Sequence, residues 1–565
     1  MRWLAHYDPG VPRTLAPYPE KTLLDVAADT ARLRPDHPVL YFKGAEITAE
    51  RLERLSDAFA AALADLGVGR GDRVALVLPN CPQFVIAELG AWKAGAVLVP
   101  LNPLYGEDEL AGPLVTTGAT VAVALTPFYP RLKRVQARTP VRLVVATGIK
   151  EYLPAHLRAL FTLFKEGKEG HRVRLAPGDR WFADLLRTHA GARRPAAAVR
   201  PGDPAMILLS GGTTGTPKGV VAPHRSFVIA GLQERAWYGD LAREWQERIV
   251  LPLPLFHSYG CLGVQTLAFV TRSTLALVPN PRDLDDLLAT IRRVRPTFFV
   301  GVPTLYNALL RHPEVRAGRA DFRSMKTCVS GAAPLLLETR RRFEALTGGT
   351  LVEGYSMTEA LLASAVNPVR GPHKEGSVGI PLPDVEMKVV DAEEGERELP
   401  PGEVGEILIR APQVMPGYWN DPEETARTLR PHGEGRPWLH TGDLGTMDEE
   451  GYLFVVDRKK DLIKVGGLQV WPREIEEVVA AHPAVAEVGV AGVPDAARGE
   501  AVKAWVVVRE GMSLTEAELR AFCKDRLAPF KAPALVEFRK DLPKSPLVGK
   551  VLRRALVADH RPGPG

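Results

Sequence analysis

The sequence has 565 residues, of which 45% are hydrophobic and 25% charged, a composition typical of a globular protein with several domains. The formal net charge of +5 is small for this length and does not favour a nucleic-acid-binding protein. No disulfide framework or zinc site is expected, because the cysteines are far apart: Cys81, Cys261, Cys328 and Cys523. The first residues lack an apolar signal-peptide core, and no apolar run reaches the ~18 residues of a membrane helix. We therefore expect a cytoplasmic protein, with peripheral membrane contact left open.

The N-terminal part of the chain alternates amphipathic helices with short apolar strands. Thr48 is expected to cap a helix that Gly67 ends, with its apolar face formed by Leu52, Leu55, Phe59, Leu63 and Leu66. Residues 74–78 follow as a buried strand, and similar apolar runs recur at 205–209, 297–300 and 327–329. This alternation predicts layered α/β structure.

One segment of this part, residues 149–174, is typical of an amphipathic helix beside basic residues. Leu157, Leu160, Phe161 and Phe164 share one helical face, and the cations that follow are Lys165, Lys168, His171, Arg172 and Arg174. Such a helix can contact a membrane surface. Docking of the same face on the large domain is an equally good interpretation.

The amino-acid composition changes after residue 370, where Gly, Pro and acidic residues cluster. Short strands are predicted at 406–410 and 452–456, and a helix at 471–482 precedes a strand at 504–508. We place a domain boundary at the charged segment 457–461. The prediction is an α/β large domain at 1–457 and a small α+β domain at 458–565.

The clearest chemical motif is LLSGGTTGTPKG at residues 208–219, where a strand runs into a stretch rich in glycine and hydroxyl groups. Glycines let backbone N–H groups approach phosphate oxygens, and hydroxyls and a lysine add donors and charge. Pro217 stands before Lys218, so the motif is not a Walker A loop. Taken alone, it could equally be a flexible surface loop.

The motif resembles the phosphate-binding loop of the adenylate-forming superfamily, which includes acyl-CoA synthetases, luciferases and peptide-synthetase adenylation domains. Two details depart from the usual pattern: Gly211 stands where Ser is more usual, and three residues rather than two separate Ser545 from Gly549. Further stretches resemble the family's motifs in the family's order: LPLFH at 253–257, SGAAP at 330–334, EGYSMTE at 353–359, WLHTGD at 438–443, DRKKD at 457–461, PREIE at 472–476 and LPKSP to GK at 542–550.

The resemblance implies an adenylate-forming enzyme fold that uses ATP, Mg²⁺ and coenzyme A. It assigns Thr214 and Glu359 to the metal ion, and it gives catalytic roles to these two residues, to Lys550 and to His257. The nucleotide site would comprise Ser210, Gly211, Gly212, Thr213, Thr214, Gly215, Lys218, Gly331, Ala332, Gly354, Tyr355, Ser356, Thr358, Asp443 and Arg458. The face that serves coenzyme A after rotation of the small domain would comprise Lys460, Lys464, Gly466 and Gly467.

The chemistry explains why such residue types are needed. A carboxylate is a poor electrophile, and attack on the α-phosphate of ATP converts it into a mixed anhydride with AMP. That transfer needs charge neutralisation and in-line positioning rather than a protein nucleophile. No Ser–His–Asp arrangement is therefore required.

The acid is less sharply indicated. Residues 280–283, 301–310 and 149–154 look most like the long-chain fatty acid–CoA ligase branch, so a medium- or long-chain fatty acid is expected. A fatty acyl-AMP ligase, an aryl-acid CoA ligase and a non-catalytic binding protein of the same fold stay open. An amino-acid adenylation domain would need an acidic residue for the substrate amine, and none can be assigned from the sequence. The expected partners are fatty acid, ATP and coenzyme A, with no nucleic acid; the oligomeric state is not indicated.

Overall fold

The computed structural model describes residues 1–195, 197–210, 217–362, 364–466, 468–495, 498–544 and 551–560. These residues form four β-sheets with helices packed against them. Three sheets belong to the large N-terminal domain and one to the small C-terminal domain. The predicted α/β class, with a large and a small domain, is confirmed.

The first sheet is mainly parallel, and its central strands are buried along nearly their whole length, as expected of strands covered on both faces. In spatial order its strands are Arg180–Trp181, Leu143–Thr147, Val121–Leu125, Arg73–Val77, Val97–Pro100, Pro204–Ser210 and Lys218–Pro223, with the last pair antiparallel. The helices of this region are Ala49–Asp65, Pro82–Lys93, Glu107–Thr117, Tyr129–Gln136, Ala155–Phe164 and Phe182–Thr188.

The helix Ala49–Asp65 has the cap, the buried face and the terminating glycine that the sequence predicts. The Thr48 hydroxyl accepts the backbone N–H of Arg51 at 3.3 Å, which is the predicted cap. Phe59 and Leu63 are fully buried, and Gly67 adopts the left-handed backbone (φ 74°) just beyond the end of the helix.

The second sheet carries the edge on which the candidate site lies. Its strands, in spatial order, are Ile380–Pro381, Ala365–Val366, Thr350–Tyr355, Thr327–Ser330, Phe298–Gly301, Arg248–Leu251, Thr274–Leu277, Pro38–Phe42 and Ala45–Thr48. Helices beside it are Leu23–Leu33, His224–Tyr238, Thr266–Val270 with the preceding π-helix Tyr259–Gln265, Leu284–Val294, Pro303–Arg311, Pro313–Arg316 and Leu337–Thr347. The strands from 248 to 355 run parallel, so their carboxyl ends meet at one edge.

The third sheet is antiparallel and is formed by residues that follow the change in composition after residue 370. Its strands are Glu386–Val390, Gly405–Arg410, Trp438–Met447, Leu429–Arg430 and Leu453–Arg458, and the helix Pro422–Thr428 lies beside it. The strands predicted at 406–410 and 452–456 are both present.

The small domain has a sheet of its own. Its strands are Leu468–Val470, Ile463–Val465, Gly499–Val508, Val485–Asp495 and Leu535–Phe538, and its helices are Pro472–Ala480, Glu516–Lys524 and Arg553–Ala558. The main cluster of buried apolar residues in the large domain has members from Trp3 to Leu453, and the main cluster of the small domain has members from Ile463 to Leu527. The two domains are thus stabilised by different cores.

Candidate active site

A cavity of about 850 Å³ lies where the parallel strands of the second sheet end. Val300, Val329 and Tyr355 reach it from strand ends, and the third sheet and the small domain complete its walls. Ligands bind at this position in many open α/β sheets, because loops diverge there while the strands hold their starting points fixed.

Most of the described residues predicted for the site line this cavity: Ser210, Lys218, His257, Gly331, Ala332, Gly354, Tyr355, Ser356, Thr358, Glu359, Arg458 and Lys460. Asp443 lies just behind the wall, next to Gly442, which lines it. Lys464 and Gly466 are exposed on the small domain and are not among the lining residues. The remaining predicted residues lie outside the described part of the chain: Gly211, Gly212, Thr213, Thr214, Gly215, Gly467 and Lys550.

Tyr355 and Arg458 line the cavity and form a connected polar group with Asp443 behind them. The Tyr355 hydroxyl donates to Oδ2 of Asp443 at 2.7 Å, and Nε of Arg458 lies 3.0 Å from Oδ1. Asp443 and Arg458 face each other on adjacent antiparallel strands, so the sheet register fixes this pair. Burial, reinforced by Asp443, raises the pKa of Tyr355, which therefore keeps its proton and donates.

A second polar group surrounds Glu359. Glu359 is 7% exposed and lines the cavity, and its carboxylate accepts a hydrogen bond from the Tyr418 hydroxyl at 3.0 Å. Burial and the nearby Glu359 raise the pKa of Tyr418, so this hydroxyl also donates. Lys218 forms an ion pair with Glu424 and lies 5.3 Å from the centre of the Tyr418 ring. The arrangement provides both carboxylate oxygens and a cation on one side of the cavity.

The stretch after strand Thr327–Ser330 has an unusual backbone. Ala332 has a φ of 68°, in the left-handed region that residues with a side chain rarely adopt. A Cβ on Gly331 would come within 3.1 Å of the Tyr259 ring, so the glycine permits close packing there. Both residues line the cavity, and strained backbone of this kind is concentrated at ligand-binding sites.

His257 lies half-buried at the cavity, following strand Arg248–Leu251. The backbone N–H of Tyr259 donates to its Nδ1 at 3.2 Å. Burial lowers the pKa of His257 to about 4, so the ring is neutral near pH 7. A neutral imidazole can accept or donate a hydrogen bond without adding charge beside a carboxylate.

The other half of the cavity is largely apolar. Its walls come mainly from the helix His224–Tyr238, the π-helix, the helix Thr266–Val270 and strands of the second sheet. They include Tyr238, Leu267, Phe298, Val300, Val329, Leu362 and Val366. Glu234 lies in the same wall and is 7% exposed. Burial raises its pKa well above the ordinary value, so this carboxyl is neutral.

The small domain closes one side of the cavity. Val551, Leu552, Arg553 and Arg554 line it, directly after the undescribed Lys550. Arg553 lies 2.6 Å from Asp457, 3.1 Å from Asp461 and 2.7 Å from Glu476. These ion pairs tie the C-terminal helix to the predicted domain boundary. Burial lowers the pKa of Lys460, which lines the cavity at the same boundary.

Sequence reasoning missed several residues of this site, namely Glu234, Tyr418, Glu424 and Arg553. Tyr418 and Glu424 lie outside the motifs, and only the fold brings them to Glu359 and Lys218. Glu234 gave one signal: a single acid on the helix face formed by Phe227, Gly231 and Tyr238, all buried. No acidic residue could be assigned to a substrate amine from the sequence, and Glu234 enters the site only through the fold.

Comparison with known protein families gives two matches. Residues 27–419 match the family described as AMP-binding enzyme, and residues 474–547 match the AMP-binding enzyme C-terminal domain. Among solved structures, the anthranilate CoA ligase AuaEII in complex with anthranoyl-AMP superposes with a TM-score of 0.80 at 26% identity, covering 96% of this chain and 98% of that one.

Curated relatives match along almost the whole chain. The long-chain-fatty-acid–CoA ligase of Bacillus subtilis (strain 168) is 40% identical over 561 residues, covering 99% of this chain and 98% of the relative. The protein of the same name from Escherichia coli O6:H1 is 38% identical over 566 residues, with the same coverage. On this evidence, the chain belongs to the family of AMP-binding enzymes.

Proposed function

We propose that the protein uses ATP to convert a carboxylic acid into an acyl-adenylate and then transfers the acyl group to coenzyme A. The observation that carries this proposal is one cavity with two unlike halves. The polar half holds the Tyr355–Asp443–Arg458 and Glu359–Tyr418 groups, and the apolar half can enclose a carbon chain. An acyl-adenylate has the same two halves.

In the first step, the acid's carboxylate attacks the α-phosphorus of ATP, the bond to pyrophosphate breaks, and a mixed anhydride with AMP forms. We assign Lys218 and Lys550 to phosphate charge and Ser210 with residues 211–215 to backbone and hydroxyl contacts. Glu359, with a carboxylate at the cavity surface, fits Mg²⁺, which prefers oxygen ligands and uses few protein groups alongside phosphates. With Thr214 as a second ligand, the ion would neutralise phosphate charge.

We assign one part of the cavity wall to the adenosine of ATP. We assign the ring of Tyr355 and the stretches of Gly331, Ala332 and Gly354 to the adenine side. Asp443 and Arg458 are assigned to the ribose, with Ser356 and Thr358 toward the phosphates. Two carboxylate oxygens suit the two ribose hydroxyls, and each oxygen retains acceptor capacity beyond its present partner.

The second step needs a different surface over the same acyl carbon. We propose that the boundary at 457–461 is a hinge, with Lys460 as its pivot, and that rotation removes Lys550 and brings Lys464, Gly466 and Gly467 to the cavity. The separate cores of the two domains support such a motion. Glycine at 466 and 467 would let the pantetheine arm pass close to the backbone.

We propose a medium- or long-chain fatty acid as the substrate, supported by the apolar half and by the names of the curated relatives. An aryl-acid CoA ligase is the second candidate, supported by the likeness to the anthranilate CoA ligase. The test is coenzyme A-dependent AMP release across straight-chain acids of graded length and a set of aryl acids. A maximum on a medium- or long-chain acid supports the first; a maximum on aryl acids supports the second. Adenylate formation without transfer to free coenzyme A would instead indicate an acyl-AMP ligase.

We further propose peripheral contact with anionic lipid through the helix Ala155–Phe164. Leu157 and Phe161 are half-buried, whereas Leu163 and Phe164 are 73% and 63% exposed, beside Lys165. Among the described helices, none is both long and apolar enough to cross a bilayer. Co-sedimentation with phosphatidylglycerol vesicles should fall in a Leu163→Asp, Phe164→Asp variant. It should persist in the control Leu104→Asp, which alters a leucine elsewhere that is 60% exposed.

A further inference from the structure

One acidic side chain in the apolar half of the cavity is left without a partner. Glu234 is 7% exposed and lines the cavity from the last turns of the helix His224–Tyr238. Within the described residues its Oε2 has no hydrogen-bond partner. A buried polar atom without a partner destabilises a fold, so such an atom beside a cavity calls for an explanation.

The surroundings of Glu234 offer little that could satisfy it. Tyr238, one turn later, packs against Phe298 with the ring centres 5.3 Å apart. The Tyr259 hydroxyl is directed at the carbonyl of Gly301, at 3.4 Å. Burial and the proximity of Glu234 raise the pKa of both tyrosines, so neither becomes charged.

A second buried acid, away from the cavity, has a partner for one of its two carboxyl oxygens, while its Oε1 has none within the described residues. Glu88 is fully buried in the helix Pro82–Lys93 and accepts a hydrogen bond from the side-chain amide of Gln265. Burial raises the pKa of Glu88 to about 8. Glu88 is not among the residues that line the cavity. The acid away from the cavity thus has one protein partner, whereas within the described part of the chain the acid at the cavity has none.

The protonation state limits what Glu234 can bind. Burial raises its pKa, and no charge in the described residues opposes that shift. A neutral carboxyl offers one O–H donor and carbonyl acceptor capacity. A hydroxyl group has the same pair of functions, so the two can exchange hydrogen bonds. An ammonium would require the carboxylate to ionise and an ion pair to be buried in apolar surroundings, which is costly.

We propose that Glu234 is a specificity-determining residue that binds a hydroxyl group on the carbon chain of the acid, so that the protein favours hydroxylated fatty acids over plain ones. This inference rests on the proposed function, because it assumes that the apolar half of the cavity holds the acyl chain. It adds a substrate class to that function and leaves the chemistry at the carboxylate unchanged.

The test compares dodecanoic acid with its hydroxylated isomers, the hydroxyl being moved along the chain. For wild type, kcat/KM of AMP release should be about three- to tenfold higher for at least one isomer than for the plain acid, the worth of one hydrogen bond. Glu234→Leu should lose this preference and accept the plain acid better. Glu234→Gln, which keeps a donor and an acceptor, should retain much of it, and the control Glu88→Gln should leave it unchanged.

Acid binding measured by calorimetry with AMP present separates this inference from the proposed function. If no acid is turned over by wild type, the proposed function fails, while a hydroxyl preference in binding that Glu234→Leu abolishes still supports the role of Glu234. If wild type turns over plain acids and Glu234→Leu changes plain and hydroxylated acids equally, the inference is overturned and the proposed function stands. A preference for an amine-bearing chain over the hydroxylated one also overturns it.

Discussion

The two halves of the cavity are built on different principles. In the polar half, charged and hydroxyl groups are already paired with one another, as in Tyr355–Asp443–Arg458 and Glu359–Tyr418. In the apolar half, Glu234 has an oxygen with no partner among the described residues, and hydrocarbon and aromatic groups form the rest of the wall. Pairing holds side chains in place before the substrate arrives, which suits a reaction step common to all acids. The apolar half leaves the choice of acid to shape and to one carboxyl.

If the two halves have these separate roles, substitutions in them should have different effects. Substitutions in the polar half should reduce the rate with every acid. Substitutions in the apolar half should alter the preference among acids and leave nucleotide binding unchanged. The following predictions test that division, from the largest expected effect to the smallest.

Lys550→Ala should reduce adenylation by about 10²–10³-fold, because it removes a cation from the developing charge at the α-phosphate. Thioester formation from preformed acyl-adenylate should change far less. Single-turnover assays of the two half-reactions, with several acids, measure both. Equal losses in the two steps would count against the assigned role.

Lys460→Pro should keep much of the adenylation rate and lose most of the thioester formation, because proline fixes φ near −65° at the proposed pivot. ATP–pyrophosphate exchange and acyl-CoA formation are measured side by side in the folded variant. If both rates stay near wild type, the hinge lies elsewhere. If both vanish, the site rather than the motion has been damaged.

Glu359→Gln should lower adenylation by about tenfold or more at limiting Mg²⁺, because an amide keeps the shape and loses the charge of a metal ligand. Rates titrated with Mg²⁺ should show a higher requirement and the same ranking of acids as wild type. The control Tyr418→Phe removes only the hydrogen bond to Glu359 and should have a smaller effect. Normal activity of Glu359→Gln at low Mg²⁺ would exclude the residue from the metal site.

Val300→Phe should shorten the preferred chain, because the extra volume at a strand end narrows the apolar half. The value of kcat/KM should fall for long acids more than for short ones, while KM for ATP stays the same. A uniform loss for all acids would break the division between the two halves.

The pH dependence of stability should show a contribution from His257. Burial lowers the pKa of His257 to about 4, whereas an unfolded histidine titrates near 6.5. Between these values the unfolded chain binds more protons, so the free energy of unfolding falls as pH decreases from 6.5 to 4. Thermal melts across this range should show a smaller decline for His257→Gln than for wild type. An identical decline would mean that His257 does not resist protonation.

The sequence allowed the polar half to be predicted far better than the apolar half. Tyr355 and Asp443 are 88 positions apart, yet each lies in a short motif whose residue types suit nucleotide binding, and the sheets bring them to 2.7 Å. The helix Ala49–Asp65 was likewise readable from its cap and its apolar spacing. Such features depend on local sequence, which a motif records.

Glu234 could not be assigned to the site from the sequence, because its role depends on its burial in the tertiary structure. An acid in a helix is usually solvated, and only the packing of the π-helix and the strand ends beside it shows that this one lines a cavity. The helix Ala155–Phe164 is a second example. Helical spacing placed Leu157, Phe161 and Phe164 on one face, but in the structure Leu157 and Phe161 are half-buried, whereas Phe164 and the neighbouring Leu163 are exposed.

The most direct test of the account is a crystal structure with a stable acyl-adenylate analogue, such as an acyl sulfamoyl adenosine with a dodecanoyl chain. The account predicts the adenosine against Tyr355, with its ribose at Asp443 and Arg458, and the chain along Tyr238 and Phe298, passing Glu234. An analogue whose chain leaves the cavity toward solvent, or whose adenosine lies in the apolar half, would contradict it.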